Sequence, residues 1–136
     1  MPLDPERSLA AALIARLRAE PALADLQGRV YDEPPSRPDY PYLSIGRSQT
    51  RLLAGEVEEG MEHVLTLTVV SRYGGAEEAK RLSAAAGEAL DDQPLTLTDH
   101  RLVGMRVAFK DVFRASDWRS VYGVIRLRAV TEPLPA

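Results

Sequence analysis

The chain has 136 residues, no cysteine and a formal charge of −3 at pH 7. That length supports one hydrophobic core without covalent staples, so a single domain over residues 1–136 is expected. The missing cysteines exclude a disulfide framework, a thiol nucleophile and cysteine-ligated zinc or iron–sulfur sites. The acidic balance argues against a duplex-binding module, which would carry a basic face, but does not exclude a protein that lets DNA slide past it. No run of about 18 apolar residues is present, so no membrane span is expected, and Met1-Pro2-Leu3-Asp4-Pro5-Glu6 lacks the basic flank of a signal peptide.

In chain order, Asp4-Pro5 reads as an N-cap followed by proline in the first turn of a helix. Leu9, Leu13 and Leu17 give that helix one apolar face, and Pro21 should end it near Glu20. A short turn and Gly28 lead into a brief strand at Arg29-Val30-Tyr31. Pro34, Pro35, Pro38 and Pro41 then make residues 32–41 an extended surface loop. A strand follows at Tyr42-Leu43-Ser44-Ile45-Gly46. Residues 48–62 are polar and acidic and read as a long hairpin connection. Residues 63–71 alternate Leu65, Leu67 and Val69 against Thr66 and Thr68, the pattern of a half-buried strand.

Gly74-Gly75 breaks that strand, and Ala79, Leu82, Ala86 and Leu90 form the apolar stripe of a second helix over residues 76–90. A short strand is expected at Leu95-Thr96-Leu97. Next, Val103, Met105, Val107 and Phe109 alternate with Leu102, Gly104, Arg106 and Ala108. In the last strand Val121, Gly123, Ile125, Leu127 and Ala129 alternate with Tyr122, Val124, Arg126, Arg128 and Val130. Residues 110–118 join these two strands with no crossover helix, which favours an antiparallel pairing. The fold expected is α+β: a single, mostly antiparallel sheet with two helices on one face, in the order α-β-β-β-α-β-β-β.

No catalytic constellation accompanies this frame. His63 and His100 fit no metal-ligand spacing and read as a strand-end and a turn histidine. Glu56, Glu58, Glu59 and Glu62 sit in a glycine-flanked stretch, a poor frame for a rigid carboxylate site. Gly74-Gly75 lacks the rest of a phosphate-binding motif, and no serine has a nucleophile-elbow context. Arg126 and Arg128 read as a solvent-facing sheet surface. Phe113 and Trp118, in a charged hairpin tip, either pack back on their own sheet or anchor an interface.

Several segments together resemble the DUF3168 family of phage tail-completion or tail-terminator proteins. They are Gly28-Arg29-Val30-Tyr31, Tyr40-Pro41-Tyr42-Leu43-Ser44-Ile45-Gly46, His63-Val64-Leu65-Thr66-Leu67, Ser71-Arg72-Tyr73-Gly74-Gly75, Pro94-Leu95-Thr96-Leu97, His100-Arg101-Leu102-Val103, and the run from Tyr122 to Pro133. The resemblance implies a structural virion protein of a phage or gene transfer agent, with neither enzyme activity nor cofactor. It implies a hexameric ring at the head-proximal end of a tail tube, made in the bacterial cytoplasm. The implied partners are other copies of itself, the tail tube protein and a neck or stopper protein, with DNA passing through the channel without specific binding. On that footing Arg51, Leu52, Phe113, Arg114 and Trp118 are candidate contacts to the tube, and Glu56, Glu58 and Glu59 are candidate channel-lining acids.

Overall fold

The computed structural model describes residues 4–53, 60–73 and 75–134. Helix α1 (Pro5–Arg18) begins as its sequence dictates: the Asp4 carboxylate accepts from the Arg7 backbone N–H at 2.9 Å. Its buried stripe is Leu9, Leu13 and Leu17, joined by Ser8, whose hydroxyl donates to the Thr98 carbonyl at 2.7 Å. The short turn expected after Pro21 is instead a 3-10 helix (Pro21–Leu26), which buries Leu23 and Leu26.

Strand β1 (Val30–Tyr31) lies parallel to β2 (Tyr42–Leu52), which pairs antiparallel with β3 (Met61–Ser71). Helix α2 (Gly75–Leu90) follows, opening at Gly75 with φ +63, a conformation that favours glycine. Then come β4 (His100–Arg114) and β5 (Val121–Pro133). The sheet order is β1-β2-β3-β5-β4, with every pairing except β1–β2 antiparallel. Both helices cover one face: α2 lies across β3, β5 and β4, and α1 packs on β1 and β2. Leu43, Ile45, Leu65, Leu67, Val69, Met105, Ile125 and Leu127 meet the helices' leucines in the core. Gly123 on β5 sits directly under α2, where a Cβ would stand 1.9 Å from Ser83 Oγ. Among the described residues no helix is long and apolar enough to cross a membrane.

Both hairpins differ from expectation in one way. Strand pairing extends further, so the β2–β3 connection is residues 53–60 rather than 48–62, and the β4–β5 tip is residues 115–120 rather than 110–118. Paired backbone groups satisfy themselves regardless of side-chain polarity, which carries the ladders through polar sequence. The strand expected at residues 95–97 shrinks to one bridge, Thr96 with Arg101. On β4 the expected face of Val103, Met105, Val107 and Phe109 is broken. Register shifts between Leu102 and Gly104, and between Val107 and Phe109, flip the alternation. Met105 is buried and Leu102 and Val107 pack against the core, while Val103 and Phe109 are exposed.

Candidate functional site

The register gives the sheet two chemically different ends. Met61 pairs with Thr131 beside the β2–β3 connection, and Ser71 pairs with Val121 beside the β4–β5 tip. The two loops therefore leave from opposite ends. Arg51 and Leu52 lie at the first end, on β2 opposite Glu62 and Met61. Phe113, Arg114 and Trp118 lie at the second, with Phe113 opposite Tyr122. Eight residues of β5 separate these levels, about 27 Å of strand. The five candidate tube contacts thus form two groups. Glu56, Glu58 and Glu59 lie outside the described residues.

At the first end, Leu52 is largely exposed beside a mainly apolar hollow of about 200 Å³ lined by Pro5, Leu52, Met61 and Pro133 together with His100, Thr131 and Glu132. Behind it His63 is fully buried, its ring nitrogens 2.9 Å from Thr50 Oγ1 and 2.8 Å from Thr131 Oγ1. Burial pushes its imidazole below the usual value. His63 is thus near the start of β3, as a strand-end histidine, and is a satisfied core residue there. On the open face, Glu62 accepts from Arg51 Nε at 2.9 Å and Arg128 Nε at 2.6 Å, and those bonds, Arg128's first, hold its carboxyl below the ordinary range. Arg126 and Arg128 are exposed on that face, as expected, with the Arg126 guanidinium 5.3 Å from the Phe109 ring.

The second end is aromatic. All five tyrosines, Phe113 and Trp118 lie within about three residues of it, leaving Phe109 alone in mid-strand. Tyr40 packs against Tyr42 at 5.5 Å and edge-on against Tyr73 at 6.2 Å, and the Arg72 guanidinium sits 4.2 Å over the Tyr40 ring. Burial, then the neighbouring Tyr40 and Tyr122, raises the Tyr42 phenol. Phe113 packs edge-on against Tyr122 at 5.7 Å but stays half-exposed. Trp118 is 78% exposed and stands at φ 60 in the tip. Asp117 fixes that turn by accepting from the Ser120 and Arg119 backbone N–H groups, which lower its carboxyl, Ser120's first. The sequence reading found Phe113 and Trp118 but missed the tyrosines. Their signal was positional: Tyr42 opens β2, Tyr73 follows β3 and Tyr122 opens β5, all at one end of an antiparallel ladder.

Among the described residues no group of three or more His, Asp or Glu comes together to hold a metal ion. What the surface offers is contact chemistry: exposed aromatics, prolines and arginines.

The chain matches the family described as tail completion protein gp17 over residues 11–132. It is also similar to a chain of the virion of a native gene transfer agent (GTA) particle, at 30% identity and a TM-score of 0.83, covering 93% of this chain and 96% of that one. The bacteriophage SPP1 gp17 protein shares the fold at 22% identity and a TM-score of 0.64, covering 96% of this chain and 91% of that one. No curated protein matches. Matched over nearly its whole length, the chain belongs to the gp17 tail completion protein family, and it is a structural protein of phage-like tails, not an enzyme.

Proposed function

We propose that the protein is a tail terminator. Copies of it close into a hexameric ring at the head-proximal end of a phage-like tail tube, stop its polymerisation and join the tail to the neck. The observation that carries this reading is the similarity, over 93% of its length, to a chain of a gene transfer agent virion. The geometry supports it in two ways. A sheet with helices on one face keeps a second face and two edges for neighbours, as head-to-tail ring contacts require. Its two ends carry different chemistry, aromatic at one and apolar with a charged rim at the other, as suits a part lying between two unlike partners. In this reading one end meets the tail tube protein and the other a neck or stopper protein. Arg51 and Leu52, or Phe113, Arg114 and Trp118, then form the tube contact. Glu56, Glu58 and Glu59 face the channel, where like charge keeps passing DNA from adhering. The subunit is made in the bacterial cytoplasm and ends in the particle.

Electron microscopy of particles assembled with and without the protein tests this. Overlong or unjoined tails in its absence are expected. Tails of normal length joined to heads without it would refute termination, and density for the chain elsewhere in the neck would make it a stopper or adaptor instead.

A further inference from the structure

We infer that neighbouring copies meet through one aromatic–proline contact: the tip half of β4, with Phe109, Phe113 and Trp118, seats the proline loop of the next copy, residues 32–39. The inference deepens the ring reading above and rests on it.

The outer edge of β4 is covered in part. Thr96 bridges Arg101, the Asp92 N–H donates to the Met105 carbonyl at 2.8 Å, and the Asp91 carboxylate accepts from the Val107 N–H at 2.8 Å. Among the described residues nothing covers the outer edge over 108–114. An open edge is a template for pairing, and it is the stretch with the exposed aromatics.

At the opposite edge of the sheet, the loop after β1 carries Pro34, Pro35 and Pro38, with Pro35-Ser36-Arg37-Pro38 in P-x-x-P spacing and Pro35 exposed. Such segments are stiff before binding and dock on aromatic-lined surfaces at low entropic cost. Charge agrees. Among the described residues, Asp32, Glu33 and Asp39 make no ion pair, and neither do Lys110 and Arg114. The loop's one base, Arg37, and the strand's one acid, Asp111, are complementary in turn.

Geometry makes the contact intermolecular. The two edges are four strand spacings apart, about 19 Å, so one copy cannot satisfy itself. Both patches also lie at the same end of the strands, since Tyr40 ties the loop to Tyr73 and Tyr42. A contact made at one level along the strands carries no translation along them. That is the condition for a closed ring about an axis parallel to the strands, where an offset would build an open helix.

The chain has no cysteine, so a pair of new thiols reports cleanly. Particles assembled from copies carrying both Ser116→Cys and Ser36→Cys, exposed neighbours of the two patches, are treated with a short bismaleimide. A ladder of covalent multimers is expected, absent from either single variant. Arg114→Glu should lower the yield of joined particles about tenfold, and adding Glu33→Arg in the same chain should restore it. Both substitutions are exposed, and circular dichroism checks the fold. A ring seen by microscopy with neither ladder nor charge rescue overturns this contact and leaves the ring standing. Particles with no ring of this protein overturn both.

Discussion

Gly123→Ala is the sharpest test of how α2 sits on the sheet. The added Cβ would lie 1.9 Å from Ser83 Oγ, 3.0 Å from the Ala79 carbonyl oxygen and 3.2 Å from Ser83 Cβ, against an ordinary contact of 3.4–4 Å. Ser83 is buried and its hydroxyl donates to the Ala79 carbonyl at 2.5 Å, so it cannot move aside freely. Either α2 retreats, an overpacking cost of about 1–3 kcal/mol, or the hydroxyl rotates away and its bond is lost, about 0.5–1.5 kcal/mol net. A loss of about 0.5–3 kcal/mol follows, read from the urea midpoint by circular dichroism with the slope unchanged. The cause is checked by repeating the substitution in a Ser83→Ala background. There the shortest contact is gone and the 3.0 Å and 3.2 Å contacts remain, so the cost should fall by about 0.5 kcal/mol or more. Equal cost in both backgrounds, or no cost in either, would refute this account of the packing.

Three further outcomes are expected. Leu67→Ala, at a fully buried site in the central strand, should cost about 2–5 kcal/mol in chemical denaturation. His63 is held neutral by burial, so its folded value lies below its unfolded one near 6.5; stability should be intact above about pH 6.5 and fall as pH drops below it. His63→Gln should remove that slope, whereas the loss linked to the lowered carboxyl of Glu62 begins only below about pH 4.5 and should persist. Trp118→Ala and Leu52→Asp, at opposite ends and both exposed, should each leave stability within about 0.5 kcal/mol. In particle assembly they should fail at different steps, which electron microscopy distinguishes.

Local signals carried most of the fold. Asp4-Pro5 and the four-residue spacing of Leu9, Leu13 and Leu17 suffice to draw α1, because cap and stripe are properties of neighbours in sequence. The last strand was equally plain, since its inward positions 121, 123, 125, 127 and 129 are all buried and their outward neighbours are not. The misjudged face of β4 has a different origin. A bulge is a backbone event set by pairing with another strand, and neither Val103 nor Ala108 announces one. The candidate interface was half legible for the same reason. Trp118 and Phe113 stood out as residues, but that Arg51 and Leu52 lie about 27 Å away is a fact of the β3–β5 and β4–β5 ladders, which no local pattern contains.

The same non-local order interleaves charge with the exposed aromatic surface. The aromatic end is not a bare patch: Arg72 stacks on Tyr40, Arg114 reaches the Trp118 carbonyl, and Asp117 and Arg119 flank the tip. Charges interleaved with rings hold hydration water, which would make any one aromatic–proline contact of the proposed ring weak on its own. In the proposed ring each copy uses both edges, so closure turns the last contact into an intramolecular one, and a tube end that holds several copies raises their effective concentration in the same way. Weak contacts that become stable only when gathered on a template would keep the subunit dispersed in the cell and assemble it where a tube ends. A ring that formed as readily without tubes as with them would remove the need for that template and count against the coupling.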